Sequence, residues 1–283
     1  MTPEWKARLD AFRLSRLDDL FRVPRPVLGM VHCWPMPGAP GYAGGGLDPI
    51  VDAARRDAEA LLAGGVDGLI VENMWDIPFR AGPKLAPESI ASHAVVARAV
   101  RAMTDLPMGI NVVHNGGVAL LGIALASGAD FMRVCMFTGA GVWDAGEWDE
   151  GCAADLMRRR AELGAQSIRV FADVDKKHSV RFPGIDLRTH VEWTRFFGAD
   201  GLIVSGRMTG DAPDLGKVRE ARAFAGATPL LIGSGATAEN VGAFLSVADG
   251  VIVGTSVKEG GVCENPVDVD RVKRFVAAAR GGP

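Results

Sequence analysis

Leu230-Leu231-Ile232-Gly233-Ser234-Gly235-Ala236-Thr237 and, after an intervening helical stretch, Val251-Ile252-Val253-Gly254-Thr255-Ser256 decide how this chain is read. Each is a short apolar run that breaks into a glycine-rich polar turn, and each precedes a helical pattern. Runs of Val, Ile and Leu this continuous belong to strands buried on both faces of a parallel sheet. Upstream, the unit of apolar run, polar tip and helix recurs until eight copies are counted. Strands are expected at 27–32, 68–73, 108–113, 131–137, 168–174, 201–205, 230–233 and 251–254. Helices are expected at 49–63, 87–103, 118–127, 150–163, 187–197, 215–225, 238–245 and 267–279. Alternation of this kind predicts right-handed crossovers and a parallel sheet. Eight near-equal units fit a closed TIM (β/α)8 barrel better than an open doubly wound sheet.

Two further patterns support closure. Asp67, Asp130, Asp200 and Asp249 stand immediately before the second, fourth, sixth and eighth strands, and no odd strand has such a step. Barrel layers alternate between odd and even strands, and residues at strand N-termini serve stability, so these four are read as structural. The turns from helix to strand are short. The early loops from strand to helix, 33–48, 74–86, 138–149 and 175–186, are long and carry Trp34, Tyr42, Trp75, Phe79, Trp143 and Trp148. Long loops on one face mark where function sits.

The chain has 283 residues, the size of one such barrel, and a net charge of −3. That charge argues against nucleic acid as a partner, because a phosphate backbone demands a clustered basic face. Cys33, Cys135, Cys152 and Cys263 have no metal-type spacing and are expected as reduced thiols in a cytoplasmic protein. No stretch reaches the roughly 18 apolar residues that span a bilayer. Residues 1–25 form an expected helical extension, with Trp5, Leu9, Phe12, Leu17, Leu20 and Phe21 at near-helical spacing, that covers the barrel's bottom or a subunit contact. Residues 26–283 make the barrel. A homo-oligomer is expected by analogy with other barrels.

Three groups of residues carry candidate chemistry. The first is a phosphate clamp: Gly233, Ser234 and Gly235 after the seventh strand and Gly254, Thr255 and Ser256 after the eighth, the pair of loops from which barrel phosphate sites are built. Lys258 could add charge there. The second ends the fifth strand, where strict alternation puts Asp173 and Asp175 on one side, with Lys177 and His178 beyond. Carboxylates beside a lysine shift each other's pKa values, as acid–base work requires. The third is a ring of polar strand tips: His32, Glu72, Asn73, Asp76, Asn111, His114, Asn115, Arg133, Ser205 and Thr209. Arg133 needs a buried counterion, for which Glu72 and Asp173 are the candidates. Asp, Glu and His in such a ring could bind a divalent cation, though no spacing selects one.

These strings resemble the BtpA/SgcQ family. The resemblance is carried by Gly29-Met30-Val31-His32-Cys33-Trp34-Pro35-Met36-Pro37-Gly38, by Asp67-Gly68-Leu69-Ile70-Val71-Glu72-Asn73 with Asp76-Ile77-Pro78-Phe79, and by Ala172-Asp173-Val174 with Lys177-His178. Gly206 with Thr209-Gly210, Gly233-Ser234-Gly235 with Asn240, the string from Ala248 to Ser256, and Asn265-Pro266-Val267 complete it. It covers roughly residues 26–277 and implies a barrel of the ribulose-phosphate-binding type. Family members are described as factors for photosystem I accumulation or as enzymes encoded beside sugar-metabolism genes. The chain departs from the family's pattern at His114-Asn115-Gly116, at Asp144-Ala145-Gly146 and at Asp175, all on the expected catalytic face.

The expected function is an enzyme acting on a phosphorylated small molecule, a sugar phosphate or a nucleotide, by isomerase, lyase or aldolase chemistry. Catalysis is assigned to Asp173, Lys177, His178, Glu72, Asn111 and His32. The alternatives are cleavage of a nucleoside or glycosidic bond by paired carboxylates and a non-enzymatic role in biogenesis of a membrane complex.

Overall fold

The computed structural model describes residues 17–282. In chain order the strands are β1 (Val27–His32), β2 (Gly68–Glu72), β3 (Met108–Asn111), β4 (Phe131–Val134), β5 (Ala140–Trp143), β6 (Trp148–Glu150), β7 (Arg169–Asp175), β8 (Ser179–Arg181), β9 (Gly201–Val204), β10 (Leu230–Ile232) and β11 (Gly250–Val253). The helices are α1 (Asp48–Ala63), α2 (Pro87–Arg101), α3 (Gly117–Ser127), α4 (Ala153–Glu162), α5 (Leu187–Phe196), α6 (Leu215–Ala225), α7 (Val241–Leu245) and α8 (Val269–Ala279). Eight strands close into a parallel barrel in the order β1-β11-β10-β9-β7-β4-β3-β2, with β1 registered against both β2 and β11. The predicted fold is the observed one.

Alternation along each strand divides the core in two. Val27 and Val31 of β1 face outward into a shell shared with the helices. Leu28 and Met30 face inward, where they meet Ile70, Phe131, Phe171, Ile203, Leu231 and Ile252. Leu17 and Phe21 close this inner core from below. Phe21 meets Phe131 edge-on at 5.8 Å and stacks on Phe171 at 6.4 Å. Room for the two barrel phenylalanines comes from Gly109 and Gly201, where a Cβ would lie 2.1 Å from Phe131 and 2.6 Å from Phe171. Leu17–Asp19 is a single 3-10 turn. Residues 1–16 of the predicted N-terminal helix lie outside the described residues.

The four acidic steps form one repeated clasp. Asp67, Asp130, Asp200 and Asp249 accept a backbone amide at the start of the preceding barrel strand, from Val27, Met108, Val170 and Leu230, at 2.7, 2.8, 2.8 and 2.8 Å. Each returns its own amide to the same residue's carbonyl. Each also holds an arginine, respectively Arg280, Arg101, Arg160 and Arg222. The carboxylates thus satisfy strand-end donors and tie the outer helices to the barrel's bottom.

The long loops after β4 and β7 hold structure that the sequence reading missed. Here β5 pairs antiparallel with both β6 and β8, making a three-stranded flap over the barrel's top. The flap takes up 148–150, so α4 begins later than predicted. Its strands are short, and one partner is distant in sequence, so alternation alone could not reveal them.

Among the described residues no helix is long and apolar enough to cross a membrane. Asp200 is the most buried member of the clasp set, and Arg160 beside it is buried as well. Asp200→Ala is expected to cost about 3–5 kcal/mol in urea unfolding, because it strands a buried arginine. The loss at half-exposed Asp249 is expected to be about 1 kcal/mol.

Candidate functional site

At the centre of the barrel's C-terminal end, β4 contributes Arg133 and β7 contributes Asp173, both almost wholly buried. The guanidinium grips the carboxylate through Nε and Nη2 at 2.9 and 3.0 Å. It also donates to the Ser205 hydroxyl and the Gly233 carbonyl. Ser205 donates to Asp173 at 3.1 Å. Four strands are thereby joined through one charged knot. Asp173, predicted as an acid–base residue, has both oxygens engaged and serves as the counterion that Arg133 required. Ser205 is likewise committed.

Above this floor lies a small cavity of about 30 Å3 lined by His32, Glu72, Arg133, Lys177, Thr209, Gly233, Ser234, Gly235, Gly254 and Thr255, with Gly210 and apolar Met30 and Ile252. Ten predicted site residues therefore share one space. Asn111 lies beside it and donates to Glu72. His32 Nε2 lies 3.7 Å from Glu72 Oε1, and its Nδ1 faces the Cys263 thiol at 3.6 Å. Burial alone would raise the Glu72 carboxyl, but Lys177, His32 and Arg133 outweigh it and hold the group at about 2. Burial drives His32 down to about 3 against the pull of Glu72, so its ring is neutral. Burial also lowers the Lys177 amine to about 8, with Glu72 opposing. Lys177 makes no hydrogen bond among the described residues and stands ready at neutral pH with about a tenth of its population as free amine. The Cys263 thiol is raised by burial and is un-ionised.

A second cavity, of about 310 Å3, opens from the first and shares Gly210, Gly235, Gly254 and Thr255 with it. The turns after β10 and β11 form its wall, and Arg271 and Arg274 of α8 line it. Ser256 donates to the Ala236 carbonyl at 2.6 Å, which locks the two turns together. The amides of Gly235, Ala236, Thr255 and Ser256 have no acceptor among the described residues. The reason for each glycine differs from the simplest expectation. Gly235 has φ +67, and a Cβ there would lie 2.1 Å from the Ala212 amide, so its bareness admits the loop after β9. Ser234 is spent on that loop too, accepting from Gly206 and donating to Asp211.

Several predicted residues lie elsewhere. The register of β7 against β9 shifts between Asp173 and Asp175, a bulge that breaks the assumed alternation. Asp175 therefore leaves Asp173's side and pairs with Lys217 of α6 at 2.7 Å, outside the cavity. His178 sits at the rim between Asp144 and Thr209. Asn73 bonds Asp76 and accepts from the Val113 amide, while Asp76 accepts from Met36; this pair fastens loops beside a separate cavity. Asn115 is tied to Asp149 and Glu150 beneath the flap. Lys258 forms a buried pair with Asp57 of α1 at 2.5 Å and adds no charge to the clamp. Among the described residues no three His, Cys, Asp or Glu side chains converge to hold a metal. Cys263, Lys176, Arg271 and Arg274 were not foreseen. The two arginines are legible as an i, i+3 pair on α8 after the last strand; Cys263 meets His32 across 231 residues and gave no local signal.

A closed (β/α)8 barrel with paired glycine-rich turns after its last two strands places the chain among the TIM barrels. Solved structures with this fold include N-(5'-phosphoribosyl)anthranilate isomerase from Pyrococcus furiosus, at TM-score 0.57 and 14% identity, covering 91% of this chain and 99% of that one. The phosphoribosylanthranilate isomerase of Thermotoga maritima aligns at TM-score 0.55 and 15% identity, covering 91% and 99%. The chain belongs to the BtpA family, whose model matches residues 23–281. A protein of Thermococcus kodakarensis is 39% identical over 257 residues, 90% of this chain and 95% of its own. The photosystem I biogenesis protein BtpA of Synechocystis is 38% identical over 263 residues, 93% and 90%. A mitochondrial protein of Caenorhabditis elegans is 35% identical over 268 residues, 91% and 94%.

Two predictions follow from the buried charges. Asp173→Asn leaves Arg133 uncompensated and is expected to cost about 3–5 kcal/mol in chemical unfolding. Acidification has a fixed sign as well. His32 is held at about 3, and His93 and His114 at about 4, chiefly by burial, all below the unfolded value. The unfolded chain then binds more protons between the two values, so stability is full above about pH 6.5 and falls as pH drops toward 4. Thermal scans at constant ionic strength measure this; a flat profile from pH 7 to 4 would contradict it.

Proposed function

We propose that the protein is an enzyme acting on a phosphorylated small molecule that carries a carbonyl group, by isomerase, lyase or aldolase chemistry. The observation that carries this reading is the joining of the two cavities through Gly235, Gly254 and Thr255. Unpartnered amides and two arginines lie on one side, and an uncommitted lysine beside a fixed carboxylate lies on the other. The amides and Arg271 with Arg274 would hold the phosphate. Lys177 would face the reacting carbon.

As a free amine, Lys177 can add to a carbonyl carbon to form the C–N bond. Both amine hydrogens leave with the carbonyl oxygen as water, giving a Schiff base. Protonated from solvent, that imine would draw electrons from the neighbouring carbon, whose proton Glu72, which lines the same cavity, would receive. Asn111, which donates to Glu72, holds that carboxylate in place. The glycosidic alternative needs two available carboxylates, and Asp173 is sequestered by Arg133. The biogenesis reading rests on the name of the Synechocystis relative. A similar chain in an animal, which has no photosystem, supports a role for the barrel outside that assembly.

Sodium borohydride added with a phosphorylated aldose is expected to leave a stable adduct on Lys177 by peptide mass spectrometry, and none in Lys177→Arg. Persistent absence of the adduct removes the Schiff base. Turnover is expected to rise with pH through about 8 as the amine loses its proton. The phosphate half is tested separately. Sugar phosphates at 100 times Kd are expected to stabilise the fold by about 2.7 kcal/mol. Gly254→Val, which crowds His32 and the mouth of the clamp, is expected to erase the gain. An undiminished shift would put the ligand elsewhere.

A further inference from the structure

The cavity at the clamp is larger than a single phosphate needs. A cavity takes about 10–15 Å3 to hold one water. The inner cavity, about 30 Å3, therefore admits only the reacting end of a ligand. The outer one, about 310 Å3, has room for about twenty waters. Gly235, Gly254 and Thr255 line both cavities, whereas Arg271 and Arg274 line only the outer one. The order outward from Lys177 is thus the shared turns first and the arginines after them.

The cations of α8 divide according to what they face. Lys273 pairs with Asp270 at 3.5 Å, and Arg280 at the helix end grips Asp67 at 2.6 Å; neither lines the cavity. Arg271 and Arg274 do line it, and they make no ion pair among the described residues. Arg271 donates to the Ser256 carbonyl at 3.2 Å, which seats its guanidinium against the second clamp turn. Gly261, on the same wall at φ +72, has no side chain to cover it. Glu239 is the one carboxylate of the lining; it is exposed, and the Thr237 side chain is the first cause of its lowered pKa. Cations one turn apart on a helix repel, and a cation in the first turn, where Arg271 stands, opposes the helix dipole. An anion held between the two guanidiniums reverses both penalties. The amides of Gly235, Ala236, Thr255 and Ser256 suffice for the terminal oxygens of one phosphoryl group. Both guanidinium forks then remain for a second.

We propose that the clamp takes a diphosphate, with the first phosphoryl group on the four amides and the second between Arg271 and Arg274, so that the ligand is a diphosphate ester of a sugar. This rests on the phosphate reading of the clamp and divides its donors between two groups. The sugar's carbonyl end reaches inward to Lys177, and the second phosphoryl group lies outward beside α8. Arg271 and Arg274 are specificity residues; the reacting bonds belong to Lys177 and Glu72. A diphosphate that ends at the arginines and one that continues to a nucleoside share this chemistry.

Calorimetry at constant ionic strength with inorganic phosphate and pyrophosphate tests this. In the wild-type protein pyrophosphate is expected to bind at least about tenfold tighter. Replacing both arginines, Arg271→Gln with Arg274→Gln, is expected to bring the two affinities close to equal. Equal affinities in the wild type, or a ratio that survives in the double variant, overturn the diphosphate and leave the clamp standing. Binding of neither probe overturns both. Ribose 5-phosphate and ADP-ribose separate the two sources. ADP-ribose binding as tightly as pyrophosphate identifies a diphosphate that continues to a nucleoside. ADP-ribose binding no tighter than ribose 5-phosphate, with the pyrophosphate preference intact, identifies one that ends at the arginines. Arg274→Gln alone supplies a second readout. Without ligand it is expected to hold or raise the melting temperature, since it removes a like charge one turn from Arg271; a marked drop would show that the guanidinium has a structural partner and end the proposal.

Discussion

The bidentate ion pair of Arg133 and Asp173 is the constraint around which the upper half of this barrel is arranged. A guanidinium and a carboxylate in a closed apolar cylinder survive only if every donor and acceptor is met. Meeting them recruits Ser205 from the end of β9 and the Gly233 carbonyl from the end of β10. Gly233 can carry no side chain, since a Cβ would lie 2.9 Å from the guanidinium and 2.5 Å from the Ser205 hydroxyl. The first clamp turn begins at that residue, so its path is dictated by the ion pair. The same positive charge helps keep Glu72 ionised and the Lys177 amine low. One interaction thus fixes the floor, the wall and the electrostatics of the cavity.

The opposite end of the barrel is governed by a different economy of charge. Four aspartates, each meeting a strand amide and an arginine, close the bottom, while Leu17 and Phe21 seal the inner core. No charge there is left seeking a partner among these clasps. At the top, groups without hydrogen-bond partners among the described residues accumulate: the clamp amides, Lys177, Lys176 and His114. Stability and reactivity are separated along the barrel axis, as the layered construction of the fold allows.

Much of this was legible in the sequence because it follows from short-range pattern. Eight apolar runs with helical intervals gave the barrel, and the Asp steps gave its even strands. The glycine turns gave the shared wall of the two cavities. Three kinds of feature were not legible. The bulge in β7 adds a register shift, so Asp175 departs from Asp173 although their spacing is that of a regular strand. The flap joins β5 to β8 through long-range pairing of strands too short to show a period. Commitments also cannot be read from residue type. Asn73, Asp76, Asn115 and Ser234 look like pocket polars, yet their bonds run to loop backbones and neighbouring side chains. The partner of His32, Cys263, comes from the far end of the chain.

A crystal structure with a phosphorylated aldose tests the central claim most directly. The account predicts phosphate oxygens on the amides of Gly235, Ala236, Thr255 and Ser256, with the sugar's carbonyl carbon turned toward Lys177 Nζ. Phosphate density in the larger cavity under the flap, about 450 Å3 and bounded by Gly82, Asn115 and Trp148, with the clamp amides unoccupied, would contradict it.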